Sequence, residues 1–222
     1  MATIYGGTND GYCGHGLGTW SNMRNGAGNL YKSNGTYNKN AVWHFYNAAR
    51  GSYGIYRSFF EFDTSGITIA PSDAVLRIYG ITEGGGDVIA VKSEHGGTLS
   101  SGDFNSFSSA VLTALGNTDG NGAGTLAGIS GFAYSAEIAT WSTSGYNNIA
   151  LNATALSDMV SLDTFKVCLM NHDNDYLDQD STSEEKTGMY YADNTGTSKD
   201  PYIDYTPGVA VTDNSIFFGT NF

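Results

Sequence analysis

Residues 171–185, NHDNDYLDQDSTSEE, crowd Asp173, Asp175, Asp178, Asp180, Glu184 and Glu185 into one stretch. Carboxylates at this density either bind a hard cation or sit in water and repel one another. Oxygen-rich loops of this kind hold Ca2+, so Asp173, Asp175, Asp178 and Asp180 are the candidate ligands of a structural Ca2+. Lys186 is the only basic residue close by. The EF-hand register fails, because Tyr176 stands where the loop needs glycine. A second stretch, NTDGNG at 117–122, opens with EF-hand spacing, but Gly128 replaces the closing glutamate. The competing reading of 171–185 is a solvated acidic loop.

Other chemistries lack their signatures. The histidines are His15, His44, His95 and His172. No GxSxG elbow accompanies them, and no HExxH, CxxC or phosphate-loop Gly-Lys-Ser/Thr occurs. His95, in SEHGG, reads as a turn residue. Paired carboxylates are plentiful, but a glycosidase needs two at a set separation across a cleft, which spacing along a chain does not provide. The expectation is a protein without catalytic residues. Cys13 and Cys168 are too few for a disulfide framework. Cys168, in FKVCLM, reads as a small core residue, and a bridge to Cys13 stays open.

Sugar binding uses aromatic platforms edged by polar groups. Trp20 and Tyr31, flanked by glycine and asparagine, read as exposed aromatics, and Tyr53 joins them as a candidate carbohydrate contact. Trp43 reads as core by alternation.

These residues must be carried by something, and the chain reads as strands. In AVWHFYN (41–47), YRSFFEFD (56–63) and AVLRIYGIT (74–82) side chains alternate between faces, as they do along a strand. In the second segment Tyr56, Ser58, Phe60 and Phe62 share the apolar face. Arg57, Phe59, Glu61 and Asp63 share the other, so the three charges are expected to face water. Further strands are expected at 87–92, 146–151, 164–170 and 201–206, and two short helices at 102–115, with Asp103 near its cap, and 152–161, capped by Asn152. Asn-Gly pairs and Gly84-Gly85-Gly86 supply turns.

The chain has 222 residues, with 30 glycines, 3 prolines, 13% aromatics and 14% charged residues. Many uncharged turns with enough aromatics for a core point to one β-sandwich rather than disorder. The net charge of −12 argues against nucleic acid or an anionic membrane as a partner. No apolar run is long enough for a membrane helix. The opening, MATIYGGTND, has neither the basic nor the apolar region of a secretory signal. Residues 1–207 read as the sandwich. Residues 208–222 read as a docking tail, with Ile216, Phe217, Phe218 and Phe222 as its apolar contacts.

RSFFEFDTSGI followed by SDAVLRIYG resembles the DNRLRE-type domain and the family 6-like carbohydrate-binding modules. Arg57, Phe62, Asp63, Ser65, Ile67, Ala74, Leu76, Ile78 and Tyr79 take the places of that pattern. DPYIDYTP is similar to the closing strand of the family. The likeness is sharp only at 57–79 and 200–206. The glycine-rich middle (84–86 and 116–131) and the tail depart from it. The resemblance implies a single antiparallel jelly-roll β-sandwich without catalysis. Composition, acidity and tail fit a phage virion protein, a capsid decoration or tail/fibre piece. Such a protein would assemble in the host cytoplasm and dock on other virion proteins and on copies of itself. A carbohydrate-binding module recognising glycans is the alternative.

Overall fold

A computed structural model gives the fold and describes residues 1–33, 35–108, 132–193 and 195–210. The docking residues Ile216, Phe217, Phe218 and Phe222 and the stretch 117–128 lie outside the described residues. The elements run β1 (Ala2–Tyr5), β2 (Gly11–Gly18), α1 (Trp20–Asn25), β3 (Leu30–Lys32), β4 (Tyr37–Asn47), β5 (Ser52–Asp63), β6 (Asp73–Gly84) and β7 (Val88–Lys92). A 3-10 turn (Ser101–Asn105) follows, then β8 (Tyr146–Ala150), α2 (Ala153–Ser161), β9 (Thr164–Asn171), a π turn (His172–Tyr176), β10 (Glu185–Tyr190) and β11 (Tyr202–Thr206).

The fold is an antiparallel all-β sandwich, as the alternation predicts. One face is β1-β11-β6-β8 and the facing layer is β5-β9-β7, extended by β2 and β3. β4 and β10 join the layers, because β4 pairs with β5 and β10 with both β4 and β6. β5 lies at a fork. Along one edge it pairs with β4 from Ser52 to Tyr56 and with β9 from Ser58 to Asp63. β2 runs along its other edge. Arg57 stands where β4 gives way to β9.

Between the layers, Phe60, Phe62, Leu76, Ile78, Ile149, Val167, Leu169 and Ile203 form the main core. The expected inner face of β5 is correct in this respect. A second core covers the outer face of the β5-β9-β7 layer. There Cys13, Met23, Ile55, Phe59, Ile89, Val91, Phe104, Phe107, Cys168 and Met170 pack together. Strands β7 and β9 are therefore buried on both faces, which explains their unbroken apolar runs VIAV and VCLM.

This second core corrects the reading of β5. Arg57 is fully buried, while Glu61 is half-buried and Asp63 exposed. Only Asp63 behaves as expected. Its Oδ1 accepts hydrogen bonds from the Ser65 backbone N–H at 3.0 Å and hydroxyl at 2.6 Å, which turns the corner after β5.

Helix α2 matches its expected place, with Asn152 Oδ1 accepting from the Ala155 N–H at 3.1 Å. The helix expected over 102–115 is a single 3-10 turn over its described start. Ser100 caps it and the Asp103 carboxylate reaches back to the Ser100 N–H at 2.8 Å. Helix α1 was not anticipated. Its buried residues, Trp20, Met23 and Arg24, fall at i, i+3 and i+4, which is one helical face. Both cysteines are free thiols in the second core, so the bridge left open by the sequence is absent. Among the described residues no helix is long and apolar enough to cross a membrane.

Candidate functional site

The π turn after β9 reverses the acidic loop into the protein. Asn171 Oδ1 accepts from the Asn174 N–H at 2.7 Å, and the side-chain amides of Asn171 and Asn174 both donate to Glu185 Oε2, at 2.9 and 2.8 Å. The turn ends near Asp178, whose φ of 57° lies in the left-handed region that aspartate tolerates better than most residues. Asp175 and Asp178 are thereby directed beneath α1.

Two arginines meet them. Arg57 Nε and Nη2 donate to the two oxygens of Asp175 at 2.6 and 2.7 Å. Its Nη1 donates to the Phe104 carbonyl and to Asn105 Oδ1, both at 2.8 Å, and Nη2 also reaches the Arg24 carbonyl at 3.1 Å. All five guanidinium hydrogens therefore have acceptors. Arg24 donates through Nε and Nη2 to the Asp175 carbonyl, and its Nη1 lies 2.8 Å from Asp178 Oδ1 as an ion pair. Trp20 Nε1 donates to the same Asp178 oxygen at 2.7 Å. Burial pulls the Arg24 guanidinium below its ordinary value, and Asp175 and Asp178 counter that pull.

The four predicted Ca2+ ligands are thus dispersed. Asp175 and Asp178 take arginine as their counter-charge: both Asp175 oxygens are held by Arg57, and Asp178 Oδ1 by Arg24 and Trp20. Asp180 is exposed near Tyr53. Asp173 lies with His172 and Glu137, whose ligand atoms all fall within 4.8 Å of one another. His172 Nδ1 is 2.8 Å from Asp173 Oδ1 and 3.7 Å from Glu137 Oε2. Glu137 and His172 were not singled out as partners, since 35 residues separate them in the chain.

The predicted sugar contacts divide as well. Trp20 is buried in the second core, with edge-on contacts to His44 at 5.4 Å and Tyr53 at 5.5 Å. Tyr53 is half-buried beneath Tyr46, and burial raises its hydroxyl to about 12. Tyr31 is 54% exposed on the edge strand β3.

The aromatic platform is elsewhere. Trp43, read as core from its alternation, is half-exposed together with Phe45, Tyr56 and Tyr12. Sheet register places Trp43 beside Tyr56, and Gly14 of β2 on the other side of Tyr56. The rings form one run: Phe45 to Trp43 at 4.2 Å, Trp43 to Tyr56 at 5.0 Å, and Tyr56 to Tyr12 at 5.7 Å. This face continues the inner face of β5. From Ser58 onward the opposite layer covers it, and at Tyr56 that cover ends. Gly54 lets the strip lie flat, because a Cβ there would stand 2.2 Å from the Phe45 ring.

Lys32 pairs across from Tyr12 and Lys186 across from Trp43, which flanks the strip with one lysine on its β3 side and another on its β10 side. Trp43 Nε1 donates to Glu184 Oε1 at 3.1 Å, and Lys186 Nζ holds that carboxylate at 3.0 Å. Rings with open faces and a charged rim can stack a flat, apolar surface while bonding its polar edge.

No protein-family model and no curated protein matches the chain.

Proposed function

We infer that the chain is a non-enzymatic binding protein whose strip Phe45–Trp43–Tyr56–Tyr12 holds a glycan. The observation that carries this reading is the continuity of that strip across β4, β5 and β2, half-exposed and unbroken by a charge. Sugar rings present C–H faces that stack on aromatic faces, and their hydroxyls need the donors and acceptors that Lys32, Glu184 and Lys186 place at the rim. The order β1-β11-β6-β8 against β5-β9-β7 supports the jelly-roll arrangement implied by the resemblance to carbohydrate-binding sandwiches. The virion setting belongs to the same proposal as the place where such a module would be carried, with residues 208–222 as its docking segment.

Glycan-array binding of the full chain, beside Trp43→Ala and Tyr56→Ala, tests the reading. Binding by the parent chain that both variants lose, with thermal midpoints little changed, is the expected result. Absence of any glycan ligand, or equal binding by all three proteins, would overturn it. Truncation after residue 207 separates the virion role: it leaves glycan binding intact and removes self-association in light scattering.

A further inference from the structure

Strand β7 is paired along both edges at its start. Along one edge β9 runs antiparallel to it, with Val88 opposite Asn171, and the His172 N–H donates to the Asp87 carbonyl at 2.9 Å. Along the other edge Val88 and Ile138 exchange backbone hydrogen bonds at 3.2 and 2.8 Å. Further along that edge the Tyr134 N–H donates to the Ala90 carbonyl and the Lys92 N–H to the Phe132 carbonyl. Glu137 is therefore fixed on one side of β7, and the π turn that carries His172 and Asp173 on the other.

The three side chains converge across that strand end. His172 Nδ1 lies 2.8 Å from Asp173 Oδ1 and 3.7 Å from Glu137 Oε2, and one donor atom from each residue falls within 4.8 Å of the other two. Tetrahedral ligands bound to a metal at about 2.1 Å sit about 3.4 Å apart, and the two measured distances straddle that value. The imidazole is held in its plane by a stack: His172 lies on Tyr176 at 5.7 Å, and Tyr176 on Phe132 at 6.1 Å. Both supporting rings come from the same two segments as the ligands. Single π turns are rare and recur at functional sites. Asp175 and Asp178 draw arginines, but among the described residues no lysine or arginine pairs with Glu137 or Asp173.

We propose that Glu137, His172 and Asp173 bind one divalent transition-metal ion of the Zn2+ class, and that the ion clips residues 132–138 to the π turn across the start of β7. One imidazole with two carboxylates suits Zn2+ and its neighbours, whereas Ca2+ takes oxygen ligands alone. Of the four aspartates that the sequence offers to Ca2+, Asp173 is the one that belongs to this site, and it arrives with a nitrogen donor beside it. His172 binds as the neutral ring, its Nδ1 exchanging the contact with Asp173 for the metal. The Glu137 and Asp173 side chains are 39% and 44% exposed, so the site lies at the surface, and three protein ligands leave a fourth position for water. None of the three belongs to the aromatic strip, and the proposal does not rest on the glycan reading.

The test is calorimetric titration of the chelator-stripped full chain with ZnCl2, for the parent protein, His172→Ala and Glu137→Gln. One ion per chain is expected in the parent. Losing a group that merely supports a metal ligand weakens binding about 10–100-fold, so losing a ligand is expected to weaken it by about 100-fold in His172→Ala and by at least about tenfold in Glu137→Gln. The exposed Glu137 keeps the test valid where His172→Ala fails to fold. Absence of zinc binding by the parent overturns the proposal. Equal binding by the parent and Glu137→Gln overturns it too, since the ion would then sit elsewhere. Displacement of the zinc by millimolar Ca2+ would mark a site of oxygen donors alone and remove His172 from it. Zinc is also expected to slow hydrogen exchange at the Val88, Ile138 and His172 amides, and unchanged exchange in the zinc-loaded chain would overturn the clip.

Discussion

Arg57 and Asp175, 118 residues apart, close on each other through two parallel hydrogen bonds with both side chains fully buried. The pair ties β5 to the turn after β9, exactly where β4 and β9 exchange places along the β5 edge. Such a pair is costly to desolvate, and its worth appears when one partner is removed. Asp175→Asn leaves Arg57 and Arg24 buried with a single acid, Asp178, between them. A loss of about 3–5 kcal/mol in urea unfolding is expected. A loss under about 1 kcal/mol would mean that the site behaves like a solvent-exposed pair.

Phe60 and Glu61 are neighbours in β5 that point to opposite faces. Phe60→Ala is expected to cost about 3–5 kcal/mol by opening a cavity between the layers. Glu61 is half-buried, and its carboxylate accepts from Asn9 Nδ2 at 2.6 Å, so Glu61→Ala is expected to cost about 0.5 kcal/mol. Equal losses in denaturant melts would contradict the face assignment.

Gly54 is required by the ring above it. With Phe45 Cε1 2.2 Å from the position of a Cβ, Gly54→Ala must tilt Phe45 off the strand. A loss of about 1–3 kcal/mol is expected. Near-ultraviolet circular dichroism should change with it, and an unchanged aromatic spectrum would count against the packing described.

His95 sets a pH dependence. Its ring is fully buried against Phe59, with Nδ1 near the Ser93 hydroxyl at 2.9 Å. Burial, then the nearby Lys166 charge, hold it down at about 4, against 6.5 in the unfolded chain. Between those values the unfolded state binds a proton that the native state refuses. The contribution is therefore complete above about pH 6.5 and is lost as pH falls toward 4, to a total of about 3 kcal/mol. Comparing His95→Gln with the parent at pH 7 and pH 4.5 isolates it. The parent should lose more stability than the variant over that interval, and equal losses would exclude the effect.

Cys13 and Cys168 are buried free thiols, and burial drives the Cys13 thiol up to about 12. A thiol reagent should find both sites in denaturant and neither at an appreciable rate in the native protein. Native reactivity, or fewer than two thiols after unfolding, would contradict the structure.

Much of the strand pattern was legible because alternating apolar residues mark a pleated surface. β4, β5 and β6 fall where that alternation places them, and β7, β8, β9 and β11 fall on the segments rich in Val, Ile, Tyr, Phe and Thr. β2 and β10 escaped notice because GYCGHGLG and EKTGMY are rich in residues that strands usually avoid. The site was less legible for a different reason. Alternation says that two faces differ but not what covers each one. The cover over Arg57 comes from residues 24, 104, 105 and 175, all distant in the chain. The same limit reversed the two tryptophans. Trp20 looked exposed among its small polar neighbours, yet α1 folds it inward. Trp43 looked buried by its spacing, yet the opposite layer stops short of it. The acidic loop reads from sequence as either a Ca2+ site or a solvated loop, whereas Asp175 and Asp178 meet arginines that only the fold brings to them.

The first and last described strands lie side by side, with Ala2 opposite Tyr205 and Tyr5 opposite Tyr202. The start of β1 and the end of β11 therefore sit at the same corner of the sandwich. Tension applied through the two ends together would open that ladder one rung at a time, like a zipper.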